Sequence, residues 1–355
     1  MESAPTLDLS GIRVAGEAVS AEPLNALDRL TLLGQPSDVG GVLRAIGRLP
    51  GAARVAWPDE AGRLTVGRFA APHGTPSALA DACAHFGFPF DRSRRTRLRD
   101  LDAESRARLI CALTLATGGQ WLVLEDPLHG LGGQARAGLR GRLLDACTRF
   151  ERGLVVSGSS VMDAAVLGGR TVTIEKEQIA DSAPLAVQLR EPRSNLAAAA
   201  TGVSVFSGLA RRGWLSIGHS QVRARTELDG KVYVTIPTSA ARLSFDEFDP
   251  AFTSNSVFEA LIVAVRDSGP ILQVVLSPAD TEVGLAMTVD LLDFSAVADT
   301  GGSGFGVLHP GLATSVADTV ARVRTGTRLF VDVDTSRMRA YPAEAGGPAE
   351  AGGLD

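Results

Sequence analysis

The chain has 355 residues, of which 45% are hydrophobic and 21% charged, a balance typical of soluble globular proteins and unlike that of disordered chains. This length allows two compact domains. The formal net charge of −5 gives no general attraction to nucleic acid, so we expect no nucleic-acid partner, and any basic surface has to be local.

The cysteines and the apolar runs limit the location of the protein. The three cysteines are widely spaced and form no C-x-x-C pair, which favours a reducing cytoplasm and predicts no metal site. No signal-like segment opens the sequence, and no run of about 18 strongly apolar residues occurs in it. We therefore expect a protein without a transmembrane segment of its own.

Short β-rich apolar runs alternate with helical patterns in the first half of the chain, which predicts a parallel sheet covered by helices. The predicted strands are Leu7–Val14, Leu30–Leu33, Trp121–Glu125, Gly153–Ser157 and Arg170–Ile174. Apolar residues at helical spacing predict helices over Ser105–Ala116 and Ala135–Phe150.

Beyond the Pro-containing connector Ser182–Arg193, nearly every segment alternates between strand and turn, which predicts a second, mainly β domain. Within it, Val232–Arg242 recurs as Leu329–Arg339 with an aromatic residue, Val, Thr-Ser and Arg in register, so we expect two copies of one β unit. The predicted organisation is an α/β domain over 1–185, a tandem β domain over 186–342 and a disordered tail over 343–355.

Two segments of the first domain carry a family resemblance. Gly34–Gly41 (GQPSDVGG) joins a predicted strand to a helical pattern, and Trp121–Leu131 (WLVLEDPLHGL) is an apolar strand that ends in Glu125 and Asp126. In this order they resemble the Walker A and Walker B motifs of ABC-transporter ATPases. The resemblance covers about residues 5–180 and implies an ABC-ATPase-like fold with a helical subdomain.

The chemistry of that family is not matched in the phosphate loop. There, a lysine reaches the phosphates and a following hydroxyl holds Mg²⁺, whereas here Val39 or Gly40 takes the lysine place and Asp38 adds a negative charge. The resemblance assigns the degenerate loop to Gly34, Asp38, Val39, Gly40 and Gly41. The family order of Asp then Glu is inverted to Glu125 then Asp126, which misplaces both carboxylates.

Other motifs of the family are altered in the same way. The segment that takes the place of the family's L-S-G-G-Q clamp consists of Leu101, Asp102, Ala103, Glu104 and Ser105. Val66 stands at the place of the Mg²⁺-contacting Gln, and Val155–Ser160 lacks the switch histidine. We therefore expect no catalysis and no cofactor, with ATP and Mg²⁺ as the cofactors if the degenerate site still binds them.

A basic run precedes the degenerate clamp; it consists of Arg92, Arg94, Arg95, Arg97 and Arg99. Such a run usually forms a solvated face. In ABC ATPases, however, this subdomain docks the permease, so docking is the alternative interpretation.

The second domain resembles the TOBE repeats that follow several ABC importer ATPases, most clearly over Leu312–Phe330. The oxyanion-binding lysine of those repeats is replaced by Pro237 and Asp334. Hydroxyls remain as a possible anion site, at Thr238, Ser239, Thr335 and Ser336.

Three functions stay open. The first is a non-hydrolytic ATPase-like subunit of an ABC importer, cytoplasmic and peripheral to the inner membrane, that pairs with a permease or an intact ATPase subunit as a homo- or heterodimer. The second is a soluble module that uses the β repeats to bind a small, molybdate-like anion or to serve a regulatory role. The third is a working ATPase. The sequence names neither the transported substrate nor the stoichiometry.

Overall fold

The computed structural model of the chain describes residues 5–217, 223–249, 257–267, 272–278, 287–290 and 323–343. The chain divides into two compact units, residues 1–188 and 189–355. The predicted tail beyond residue 343 and most of the TOBE-like segment Leu312–Phe330 lie outside the described residues.

Four short strands open the first unit. β1 (Thr6–Leu7) pairs with β4 (Leu24–Asn25), and β2 (Arg13–Val14) pairs with β3 (Glu17–Ala18). The prediction of one strand over Leu7–Val14 was wrong, because the Asp8 carboxylate accepts a hydrogen bond from the Ser10 amide (2.9 Å) and turns the chain.

A six-stranded sheet forms the centre of this unit. In sheet order its strands are β10 (Gln178–Asp181), β9 (Arg170–Glu175), β5 (Arg29–Leu33), β8 (Gly153–Gly158), β7 (Trp121–Leu124) and β6 (Ala52–Ala53). β10 is antiparallel to β9, and the other pairings are parallel. The carboxyl ends of the parallel strands therefore meet at one edge of the sheet, and the remaining four strand predictions are confirmed.

Helices cover both faces of the sheet. They are α1 (Pro36–Ile46), α2 (Val66–Ala70), α3 (Pro76–Phe86), α4 (Phe90–Ser93), α5 (Ala103–Ala116), α6 (Gly133–Arg149), α7 (Val161–Leu167) and α8 (Leu185–Arg190). Because side chains alternate along a strand, Trp121 and Val123 of β7 pack in one apolar cluster with Leu43 of α1, while Leu122 and Leu124 pack in the other with α5 and α6. None of the described helices is long and apolar enough to cross a bilayer.

The second unit begins with α9 (Asn195–Thr201) and contains two five-stranded antiparallel sheets around one apolar core. Sheet I consists, in order, of β13 (Arg223–Arg225), β12 (Trp214–Ser216), β11 (Val203–Arg211), β14 (Gly230–Pro237) and β20 (Arg339–Pro342). Sheet II consists of β18 (Met287–Asp290), β17 (Leu272–Pro278), β16 (Val257–Asp267), β19 (Arg328–Val333) and β15 (Ala241–Ser244).

The two sheets repeat one arrangement and exchange their last strand. The repeated segments fold alike, as β14, a 3₁₀ turn and β15, and as β19, a 3₁₀ turn and β20. The pair Thr235↔Arg339 in sheet I has its image in the pair Arg242↔Asp332 in sheet II, because Thr235 aligns with Asp332 and Arg242 with Arg339. The internal repeat predicted from the sequence is therefore an approximate twofold within this unit.

Candidate functional site

The phosphate-loop segment lies at the carboxyl edge of the parallel sheet, but only Gly34 and Gln35 separate β5 from α1. The amides of Asp38 and Val39 donate to the Gln35 carbonyl (2.9 and 3.1 Å), and the Val39 side chain is 2% exposed. A Cβ on Gly34 would lie 2.4 Å from the Ile174 carbonyl oxygen, so close packing against β9 requires this glycine. Gly40 and Gly41 are part of the helix.

A carboxylate lies against the start of this helix. Glu125 follows β7, and its Oε2 forms an ion pair with Nη2 of Arg54 (2.6 Å), which follows β6. A Cβ added to Gly40 would lie 3.2 Å from Oε1 of Glu125 and 3.4 Å from Nη1 of Arg44. The N-terminal half of α1 thus faces a carboxylate that is already paired with a guanidinium.

Asp126, the second carboxylate of this strand end, has a left-handed backbone (φ 38°), which is uncommon for a residue other than glycine. Its amide donates to the Ser157 hydroxyl (3.1 Å), and its Oδ2 lies 3.5 Å from Nδ1 of His129. The side chain is 17% exposed, and this burial raises its pKa above the ordinary value of 3.8. Glu125 and Asp126 are therefore neighbours in sequence with different electrostatic surroundings.

A second cluster of charges lies between α6 and α7. Asp163 is 6% exposed, and its carboxylate pairs with Nη1 of Arg140 at 3.0 Å and Nη1 of Arg136 at 3.8 Å. Sequence reasoning missed Arg54, Arg136, Arg140 and Asp163. The spacing of Arg136 and Arg140 by one helical turn was visible, but the sequence does not indicate which acid they face.

The clamp-like segment contributes to the start of α5. Asp102 caps this helix by accepting the Ser105 amide (2.6 Å), and the hydrogen bonds from Ser105 lower the pKa of Asp102. Glu104 forms an ion pair with Arg108 one turn later, Leu101 is buried, and Ala103 is the first residue of the helix. Asp102 and Glu104 thus both bond to residues of α5, the helix that begins at this segment.

The basic run lies on and after α4, and all five arginines are exposed. Of the five arginines, Arg99 alone has an ion-pair partner in the described part of the chain, since its Nε lies 3.4 Å from Oδ1 of Asp100. Arg94 lies over the Phe90 ring, 5.9 Å from its centroid. The run presents open positive charge.

The two 3₁₀ turns of the second unit carry the hydroxyls of the possible anion site. Nη2 of Arg337 donates to the Ser239 hydroxyl (2.7 Å) and Nη1 donates to the Ser239 carbonyl (2.6 Å). A positive charge therefore lies beside these hydroxyls although the lysine of the TOBE repeats is replaced, because the twofold brings Arg337 to the opposite turn. Asp334 accepts from the Ser336 hydroxyl (2.6 Å), and this hydrogen bond lowers the pKa of Asp334. Thr238 and Thr335 are half-buried in the same turns.

No cluster of three or more His, Cys, Asp or Glu side chains that could hold a metal ion occurs in the described part of the chain. Cys83, Cys111 and Cys147 are buried free thiols there, and burial raises their pKa to about 11, 12 and 11.

Sequence comparison finds similarity to a transport protein. The chain is 26% identical over 254 residues to the molybdenum import ATP-binding protein ModC of Mycobacterium tuberculosis, from strains H37Rv and CDC 1551. The match covers 69% of this chain and 61% of the relative, so the chain spans about three fifths of the length of these curated relatives. No protein-family model matches the chain.

Solved structures show a weak likeness. A dimeric bacterial ABC transporter cassette is 11% identical and matches 47% of this chain and 93% of its own length, with a TM-score of 0.38. An ABC transporter of the metal-chelate type in an inward-facing conformation is 14% identical and matches 60% and 94%, with a TM-score of 0.42. Both TM-scores are too low to establish a shared fold.

Proposed function

We propose that the chain is an ATPase-like subunit of an ABC importer that does not hydrolyse ATP. In this function it pairs with a permease or with an intact ATPase subunit, at the cytoplasmic face of the inner membrane. The similarity to a molybdenum import ATP-binding protein supports the transporter assignment. The parallel sheet with helices on both faces is compatible with it.

The observation that carries the non-hydrolytic part is the two-residue connection between β5 and α1. A phosphate loop binds through free backbone amides, a lysine and a hydroxyl at this place. Here Pro36 has no amide hydrogen, and the amides of Asp38 and Val39 bond to the Gln35 carbonyl. Of the two residues that can take the lysine place, Val39 fills it with a buried apolar side chain and Gly40 has no side chain.

The charges at the same place also oppose a nucleotide. A triphosphate with its magnesium would have to displace the ion pair between Arg54 and Glu125, which lies against Gly40. Two like unit charges about 4 Å apart repel by about 4 kcal/mol at an effective dielectric near 20. These residues do not fit ATP and Mg²⁺, so no hydrolytic step is assigned to them.

Calorimetry of the full chain with Mg-ATP tests this part of the proposal. We expect no binding tighter than about 100 µM, which corresponds to about 5.5 kcal/mol, and no phosphate release. The Glu125→Gln variant is the informative companion, because it removes the carboxylate without changing the size of the side chain. Tighter binding by the unaltered chain, or turnover that Glu125→Gln abolishes, would contradict the proposal.

The partner is tested separately by isolating the chain from its native membranes together with whatever it binds. A transporter subunit should be recovered with an integral membrane protein or an intact ATPase. Recovery of the chain only as a free protein, at low salt and with its natural gene neighbours expressed, would remove the transporter assignment and leave the nucleotide result standing.

Binding of a small anion by the β repeats is the second candidate, and the hydrogen bonds between Arg337 and Ser239 favour it. A guanidinium beside hydroxyls is a suitable donor set for a tetrahedral oxyanion. Saturation at about 100 times the dissociation constant adds about 2.7 kcal/mol of stability, which raises the melting temperature by several degrees. Such a shift with millimolar molybdate, lost in Arg337→Ala, would support this candidate, and its absence would exclude it.

A further inference from the structure

The outer surface of sheet I carries positive charge without acidic neighbours in its strands. Its five strands contain five basic residues and no acidic one, whereas those of sheet II contain three basic and four acidic residues. Glu227 and Asp229 lie in the loop between β13 and β14. The protein as a whole has a net charge of −5, so this is the kind of local basic surface that composition alone does not reveal.

Aromatic and apolar side chains lie among these charges. Alternate residues such as Ala210, Leu215 and Val232 point into the core, so their neighbours point outward. We call the outward residues toward β12 and β13 the basic face; they are Ser207, Leu209, Arg211, Trp214, Ser216, Arg225, Lys231 and Tyr233. On the same side of the sheet Val205, Thr235 and Tyr341 are buried, so the open surface ends at the half-buried Tyr233. Trp214 is 48% exposed and Leu209 is 46% exposed.

Each aromatic ring of this face has a guanidinium over it. The Cζ atom of Arg225 lies 4.9 Å from the Trp214 ring centroid, and that of Arg193 lies 5.9 Å from the Tyr233 ring centroid. Trp214 and Tyr233 are separated by two strands and by four residues along β11, which corresponds to roughly 16 Å in a regular sheet. The described residues provide no ion-pair partner for Arg211, Arg225 or Lys231, so their charges are open to a ligand.

The approximate twofold supplies an internal reference. The position of Lys231 is occupied in sheet II by Arg328, whose Nη1 pairs with Oε1 of Glu259 at 2.9 Å, and Glu259 takes the position of Ser207. One copy of the repeat is thus neutralised at this point and the other is not. The core residues Val232, Val234 and Ile236 correspond to Leu329, Val331 and Val333, which are buried in the same core, so burial of these strands does not depend on whether the neighbouring charge is paired.

We propose that the basic face of sheet I binds single-stranded nucleic acid, with bases stacked on Trp214 and Tyr233 and phosphates held by Arg211, Arg225 and Lys231. Aromatic rings interleaved with basic side chains on an open surface are what an unpaired strand requires. A lipid surface fits less well, because serines and long cationic side chains surround only one strongly exposed aliphatic residue. This function is independent of the transporter assignment.

Fluorescence anisotropy of the full chain with labelled oligothymidylate and oligouridylate of about 20 nucleotides tests the proposal. We expect saturable binding. The logarithm of the association constant should fall linearly with the logarithm of the salt concentration, with a slope near −2 for about three neutralised phosphates. Trp214→Ala should weaken binding at least about fivefold. Lys231→Ala should reduce the slope by about 0.7, and the matched variant Arg328→Ala should leave both affinity and slope unchanged.

Fluorescence of Trp214 provides a second readout that needs no truncated side chain. The emission of Trp214 is obtained by subtracting the spectrum of the Trp214→Phe variant from that of the unaltered chain, and bound bases should quench it. Absence of saturable binding at about 100 µM protein would overturn the proposal. So would equal effects of Lys231→Ala and Arg328→Ala. Binding to phosphatidylserine vesicles that the oligonucleotides do not compete away would instead assign the face to a membrane.

Discussion

Arginine has opposite roles in two regions of the first unit. At the carboxyl edge of the sheet, Arg54 and Arg140 pair with Glu125 and Asp163, and their charges are neutralised within the protein. In the basic run after α3 the guanidiniums are exposed, and among the described residues only Arg99 has an acidic partner. A region with paired internal charges has little left to offer an anionic ligand, whereas a region with open charges can still attract a partner.

The largest expected effect comes from removing Asp163, the buried acid of the second charge cluster. Asp163→Ala leaves Arg140 and Arg136 without their counter-charge at a site where the acid is 6% exposed. We expect a loss of about 2–4 kcal/mol in the free energy of unfolding, measured by urea denaturation. The matched variant Asp100→Ala removes the exposed partner of Arg99 and should change stability by at most about 0.5 kcal/mol. Equal losses in both variants would contradict the distinction between the two regions.

The strands of this region were predictable because each is a local apolar run, and the helices because their apolar spacing is local too. The ion pairs were not, since Arg54 and Glu125 are 71 residues apart in sequence and meet only because β6 and β7 are neighbours in the sheet. The same holds for Arg337, which reaches Ser239 through the exchange of strands between the two repeats. The Asx-turn at Asp8 was the local signal that the strand prediction overlooked.

A smaller, pH-dependent effect is expected at Asp126, which lies at the carboxyl edge of the sheet. Because burial raises its pKa, its contribution to stability is fully present below the unfolded value of 3.8 and is lost as the pH rises through the raised value. Asp126→Asn cannot ionise, so its melting temperature relative to the unaltered chain should rise as the pH increases through that window. Asp102→Asn is the opposite control: the lowered pKa of Asp102 predicts a deficit at neutral pH that closes on acidification. The same pH trend in both variants would rule out this account.

The smallest effect per residue is expected in the open region, where exposed charge pairs contribute about 0.2–1 kcal/mol each. Reversing one arginine should therefore do little, whereas Arg94, Arg95 and Arg97 changed together to Glu should weaken recovery of the chain with membranes or permease. High salt should weaken recovery of the unaltered chain in the same way, because exposed charges are screened over about 10 Å at 0.1 M salt. The triple variant should keep its melting temperature, since none of the three side chains is buried. If it remains folded and is recovered as well as the unaltered chain at both salt concentrations, the run is a solvated face, and open charge alone does not identify a docking surface.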